Sequence, residues 1–121
     1  MYQAYKDRVA FLFVYIQEAH ASDEWEMPAN EKEGIVFKQP KTHTARQTVA
    51  GRCCAAMKLS MPCVVDDIDN KVDDAYAGWP ERIFVIDAED RVAYAGHQGP
   101  WGFKPAEVEG WLRKNIGPPS R

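Results

Sequence analysis

Nine residues near the start of the chain, Arg8–Ile16 (RVAFLFVYI), form a nearly continuous apolar run rich in β-branched and aromatic side chains. A half-exposed strand would alternate apolar and polar residues. A run without alternation predicts a strand covered on both faces, as in a parallel sheet. Parallel strands need crossover connections, so this one segment predicts an α/β fold. Directly behind it stand Glu18, His20, Ser22, Asp23, Glu24 and Trp25. Open α/β sheets keep their ligands at the carboxyl ends of their strands, so this segment (EAHASDEW) is a candidate site.

The rest of the chain supports that fold class. Residues 1–7 read as the end of a helix. Residues 17–42 are polar and broken by Pro28, Gly34 and Pro40. Such a long excursion in a compact domain tends to be functional. Thr44 to Lys58 predicts a helix with Ala45, Val49, Cys53 and Ala56 as its buried stripe. Pro62–Val65 reads as a short strand. The acidic residues after it suit the start of a short helix running to Tyr76 and stopped by Gly78. Arg82–Asp87 (RIFVID) reads as a second doubly buried strand. A tight turn at Ala88-Glu89-Asp90 leads into Arg91–Ala95 and closes an antiparallel hairpin. The loop Gly96–Lys104 contains Gly96, Gly99, Pro100 and Gly102. Pro105 opens a last helix at the position that tolerates proline, with Val108, Trp111 and Leu112 facing inward. Gly117-Pro118-Pro119 ends it.

Strand, helix, strand, then hairpin and final helix is the layout of a thioredoxin-like α/β fold, a three-layer sandwich on a mixed sheet. At 121 residues the expectation is a single domain, 1–121, with residues 17–42 as a long loop insertion. Pro80 stands where that fold keeps a cis-proline. A net charge of −3 and a pI near 5.6 argue against nucleic acid as a partner. No apolar run approaches the roughly 20 residues that span a bilayer. The first residues carry no signal-peptide pattern, so no membrane partner and a cytoplasmic location are expected. No cofactor is implied.

The cysteines are Cys53, Cys54 and Cys63, with no Cys-x-x-Cys. Neighbours on a helix point about 100° apart, which disfavours a Cys53–Cys54 disulfide. The expectation is three small buried apolar residues, with thiol redox work by Cys63 or the Cys53-Cys54 pair as the rival. Asp66, Asp67 and Asp69 lack a calcium-loop spacing, so they are read as helix caps and no metal is expected. Trp101, with Gly99 and Pro100, either lines a ligand groove or covers the end of the core.

Four collinear stretches carry a family resemblance: FLFVYIQEAHASDEW at 11–25, PCVVDDIDN at 62–70, AYAGWPERIFVID at 75–87 and YAGHQGPWGFKPAEVEGWL at 94–112. Together they resemble the iodothyronine deiodinase family, a branch of the thioredoxin-like superfamily. The resemblance implies a reductive loss of iodine, with a selenocysteine, or a cysteine in some bacterial relatives, as nucleophile. It implies a proton-transfer role for Glu18 and His20. In that family the nucleophile lies ahead of the helix that precedes the FLFVYI-type strand. The present chain starts inside that helix, so an N-terminally truncated fold is expected, with none of Cys53, Cys54 or Cys63 in the nucleophile's place. Glu24 replaces the family's glycine. Gln98 stands where an arginine that contacts the thyronine is common, which weakens the case for an iodothyronine ligand. His43 lies near a second family histidine at a different spacing.

The expected protein is therefore a deiodinase-like domain without its nucleophile, acting as a self-associating or ligand-binding module. The alternative is the later part of a thiol- or selenol-dependent oxidoreductase whose nucleophile lies on another segment. Candidate catalytic residues are Glu18 and His20. Candidate ligand-binding residues for an unidentified small molecule are Trp25, Pro80, Arg82, Gln98, Gly99, Pro100 and Trp101. Loss of a central strand would leave apolar strand edges open, so a homodimer or a strand-completing partner is expected.

Overall fold

The computed structural model describes residues 1–19 and 39–121. The long excursion expected at 17–42 therefore falls mostly outside the described residues. The contacts of the chain gather into two compact units, Leu12–Trp79 and Met1–Phe11 with Pro80–Arg121.

In the first of these, β1 (Phe13–Tyr15) and β2 (Cys63–Val65) form a parallel pair, in register Phe13 to Cys63 and Tyr15 to Val65. The connection between them includes α2 (His43–Ala56), which starts on the Thr42 hydroxyl accepting a bond from the Ala45 N–H at 3.1 Å. Tyr15, Ala50 and Cys53 form the core of this unit, with Phe13, Val49 and Val65 packed against it. The buried face of α2 is Arg46, Ala50 and Cys53; of the predicted stripe Cys53 is buried and Val49 packs against the core. Ala56 is exposed and Ala45 half-buried. The reason is polar. The Arg46 guanidinium, 2% exposed, donates to the Asp67 carbonyl at 2.5 Å and to Asn70 Oδ1 at 2.8 Å, which turns that face inward.

Downstream of β2 the chain enters α3 (Lys71–Tyr76). Its N-cap residue, Asn70, is left-handed (φ 60°), and its side chain does not cap the helix. Asp66 caps instead. Its buried carboxylate accepts from the N–H groups of Asp67 (2.8 Å), Val72 (2.9 Å) and Asp73 (2.9 Å). The Asp66 N–H itself donates to the Tyr15 carbonyl at 2.8 Å. Helix capping, read for three aspartates, thus falls to Asp66, while Asp67 and Asp69 lie beside Lys71 on the surface. The left-handed residue that ends α3 is Ala77 (φ 48°), not Gly78. Gly78 follows in the same turn, donating its N–H to the Asp73 carbonyl at 3.0 Å.

The second unit holds α1 (Tyr2–Tyr5), the antiparallel strands β3 (Phe84–Ile86) and β4 (Val92–Ala95), and α4 (Pro105–Asn115). The hairpin forms as the sequence predicts. Asp87 Oδ1 accepts from the Glu89 and Arg91 N–H groups at 2.9 and 3.0 Å, and Asp90 takes the left-handed conformation (φ 60°) that tight hairpins need. Tyr5, Val108 and Leu112 form the core, with Ile83, Val85, Tyr94 and Trp111 against it. The tail is tied back onto α1: the Tyr5 hydroxyl donates to Gly117 O at 3.1 Å and the Ser120 N–H to Ala4 O at 2.9 Å.

The architecture is α/β, built from a parallel and an antiparallel strand pair. Among the described residues no helix is long and apolar enough to cross a membrane. One expectation needs correction. The strand ladders are shorter than the apolar runs that announced them, and Leu12 is 61% exposed and Ile86 46%, so neither run is covered on both faces throughout. Among the described residues the cis peptide bond is Gly99–Pro100, and the Trp79–Pro80 bond, whose isomer the sequence leaves open, is trans. Every X-Pro bond tolerates the cis form, and a sequence with both prolines does not choose between them.

Replacing Asp66 by alanine strands three backbone donors around a buried position. The expected loss is about 2–4 kcal/mol in urea unfolding. The same change at exposed Asp69 stays within about 0.5 kcal/mol, since surface ion pairs contribute little. Equal costs at the two positions would contradict the capping role.

Candidate functional site

Beyond β1, the strand exit that carries Glu18 is held by the amide of Gln39. The Glu18 N–H donates to Gln39 Oε1 at 3.1 Å, and Gln39 Nε2 donates back to the Glu18 carbonyl at 3.0 Å. This two-way clasp fixes the backbone from which the Glu18 side chain departs. Its carboxylate field reaches Cys53. Burial first, then Glu18 and Cys54, push the Cys53 thiol up to about 11. His20 and Trp25 lie outside the described residues. His43 opens α2, and its Nδ1 is buried with no hydrogen-bond partner among the described residues. The exit of β1 thus collects a carboxylate and a protonated thiol. That set can hold and pass protons but has no thiolate at neutral pH.

The other candidates fall in the second unit. Arg82 Nε donates to the Gly96 carbonyl at 2.6 Å, and its guanidinium lies over the Phe84 ring at 4.9 Å. The Gly99 N–H donates to the Glu81 carbonyl at 2.9 Å, which folds the glycine-rich loop back onto the residues after Pro80. A Cβ at Gly99 would displace the Glu81 side chain, whereas one at Gly102 would overlap the Gln98 carbonyl oxygen and the His97 backbone, so the close approach there requires glycine. The Gly102 N–H closes the loop on the Gln98 carbonyl at 3.1 Å. Loop and strand entrance therefore bring Arg82 and Gly99 together, with Gln98 and Pro100 alongside in the chain. Trp101 is 88% exposed and does not cover the core.

The cysteines depart from the expectation of three buried residues. Cys53 is buried, Cys54 half-buried and Cys63 exposed, all as free thiols. Cys54 Sγ and Cys63 Sγ lie 3.1 Å apart. Although the residue as a whole is exposed, partial desolvation of its sulfur, then the hydrogen bond and field of Cys54, push the Cys63 thiol up to about 11. Cys54 and Cys63 line an open groove of about 290 Å³ with Gln47, Ala50, Gly51 and Val65. Sequence reasoning weighed Cys53 with Cys54 and missed Cys54 with Cys63. The signal was present in the short connection from the end of α2 to β2, which returns the chain beside the last helical turns. Among the described residues no group of His, Cys, Asp or Glu side chains could hold a metal ion. The Asp66 carboxylate is engaged by backbone donors.

Comparison with known proteins bears on what this arrangement does. The family model for iodothyronine deiodinase matches residues 1–116. Type I iodothyronine deiodinase of Xenopus laevis is 38% identical over 104 residues, covering 86% of this chain and 39% of the relative. Type II iodothyronine deiodinase of Rattus norvegicus is 34% identical over 108 residues, covering 88% of this chain and 40% of the relative. The type II protein of Homo sapiens is likewise 34% identical, with 88% and 39% covered. The chain thus spans about two fifths of the length of the curated relatives it matches.

The raised thiols give a direct readout. Raising a thiol pKa keeps the proton on to higher pH, and only the thiolate is alkylated. In the folded protein, iodoacetamide labelling of exposed Cys63, followed by peptide mass spectrometry, is expected to reach half its limiting rate near pH 11. After unfolding the midpoint returns to about 9.0. At neutral pH the folded thiol then reacts about 100-fold more slowly than an unshifted one. A folded-state midpoint at or below the unfolded one would contradict the geometry.

Proposed function

Because the chain belongs to the iodothyronine deiodinase family, we propose that these residues form a deiodinase-like, thioredoxin-type module that carries out no reductive deiodination by itself and works by self-association or by binding a small molecule. One observation carries this reading: the thiols of Cys53 and Cys63 are both pushed up to about 11. Removing iodine reductively needs a soft nucleophile that is ionised at working pH, and a proton donor beside it. Glu18, with His20 two residues on, supplies the proton-handling part. Neither raised thiol supplies the nucleophile. Pro80, Arg82, Gln98, Gly99, Pro100 and Trp101, with Trp25, form the ligand-binding candidates. Exposed Trp101 is the side chain best placed to meet a flat apolar group.

Self-association is supported by what the strands leave uncovered. A two-stranded sheet is marginal on its own, and among the described residues both sheets have two strands. Val64 on β2 is 44% exposed, and the cross-strand pair Ile86 and Val92 is 46% and 55% exposed. Apolar residues on a strand face are covered economically by a second copy. Light scattering at micromolar concentration is expected to give a dimer, and a stable monomer would count against that part of the reading.

A second reading is favoured by the coverage of the relatives. In it, these residues belong to a thiol- or selenol-dependent oxidoreductase whose nucleophile comes from a segment they do not contain. One assay tests both. The 121-residue chain, incubated with an iodothyronine and dithiothreitol, is expected to release no iodide above the thiol blank. Under the second reading, release appears when a strand ending in cysteine or selenocysteine is joined ahead of it. Release by the chain alone, abolished by a substitution at Cys53, Cys54 or Cys63, would overturn the first reading.

A further inference from the structure

We propose that Cys54 and Cys63 are a redox dithiol that closes to an intramolecular disulfide by exchange with a small uncharged disulfide in the groove they line. The sulfurs lie 3.1 Å apart, closer than two non-bonded sulfurs normally rest, yet both residues are free thiols. A disulfide bond of about 2.0 Å then needs an approach of only about 1 Å, within reach of side-chain rotation. Cys54 sits in the last turns of α2 and Cys63 is the first residue of β2. Both face one open groove, so a reagent small enough to enter meets both sulfurs together. The other lining residues, Gln47, Ala50, Gly51 and Val65, carry no charge, which favours a neutral reagent. Cys53 is buried and absent from the groove lining.

The exchange balances in two steps. The Cys54 thiolate attacks one sulfur of RSSR. The S–S bond breaks, RS⁻ leaves and takes a proton, and Cys54 holds a mixed disulfide. Cys63 then loses its proton to solvent and attacks the Cys54 sulfur. The second RS⁻ leaves, and the Cys54–Cys63 bond forms. Two protein thiols are oxidised and one external disulfide is reduced to two thiols. Cys63, protonated at neutral pH, is the poorer first attacker. Closeness to the mixed disulfide compensates in the second step, because the attack is intramolecular.

The test uses the reduced, folded chain and bis(2-hydroxyethyl) disulfide, read by intact mass and tryptic mapping under non-reducing conditions. The product is expected to have lost two hydrogens and to retain no hydroxyethyl group. Cleavage after Arg52, Lys58 and Lys71 then leaves the peptide 53–58 linked to the peptide 59–71. Cys53→Ala is expected to keep that link. Cys63→Ser is expected to stop at a stable adduct on Cys54. Cys54→Ser is expected to lose the link and to react more slowly. Three results would overturn the proposal: a link that disappears in Cys53→Ala, separate adducts that persist on Cys54 and Cys63 of the unsubstituted chain, or reaction only after unfolding in urea. The readout is independent of deiodination, so its failure leaves the proposed function standing, and the reverse also holds.

Discussion

The buried guanidinium of Arg46 is the interaction on which the Leu12–Trp79 unit depends. A cation at 2% exposure is costly unless its donors are met. Here Nη1 meets the carbonyl oxygen of Asp67 and Nη2 the amide oxygen of Asn70, while Nε is buried with no hydrogen-bond partner among the described residues. Those acceptors lie on the stretch between β2 and α3, so one side chain of α2 holds the exit of the strand beside it. The same stretch positions the Asp66 carboxylate over the first N–H groups of α3. Arginine and aspartate do not pair with each other. Each satisfies backbone groups that the turn would otherwise bury bare.

That arrangement sets the chemistry of the unit. With α2 fixed against β2, Cys53 is turned into the core beside the Glu18 field, and Cys54 is brought to the first residue of β2. Burial raises the Cys53 thiol, and desolvation of the sulfur followed by the hydrogen bond from Cys54 raises the Cys63 thiol. The packing that makes the unit stable is therefore also what removes these sulfurs from the pool of ready nucleophiles. It leaves Cys54 and Cys63 with their sulfurs 3.1 Å apart.

Much of this was legible in the residues, and the limits have physical causes. The hairpin was legible because Ala88-Glu89-Asp90 lies between two apolar runs and Asp87 can accept from its own turn. The last helix was legible because Pro105 marks its first turn and Val108, Trp111 and Leu112 mark its face. The face of α2 was legible in part: Cys53 is buried and Val49 packs against the core as the stripe predicts, but a hydrophobic stripe cannot anticipate an arginine buried on a backbone carbonyl. The proximity of Cys54 to Cys63 follows from the short connection between α2 and β2, a signal that a search for adjacent or Cys-x-x-Cys pairs passes over. The family resemblance was legible in four short stretches, and the match over residues 1–116 bears it out. Of the candidate site, Glu18 and the loop around Arg82 and Gly99 can be placed, while His20 and Trp25 fall outside the described residues.

Native-state hydrogen exchange tests the anchoring role of Arg46 and Asp66 most directly. The account predicts that the Asp66, Val72 and Asp73 amides are among the slowest in the chain, exchanging only on global unfolding, and that Arg46→Met speeds all three together. If these amides exchange as fast as those of the exposed loop around Trp101, the polar anchor is not what holds α2 to β2.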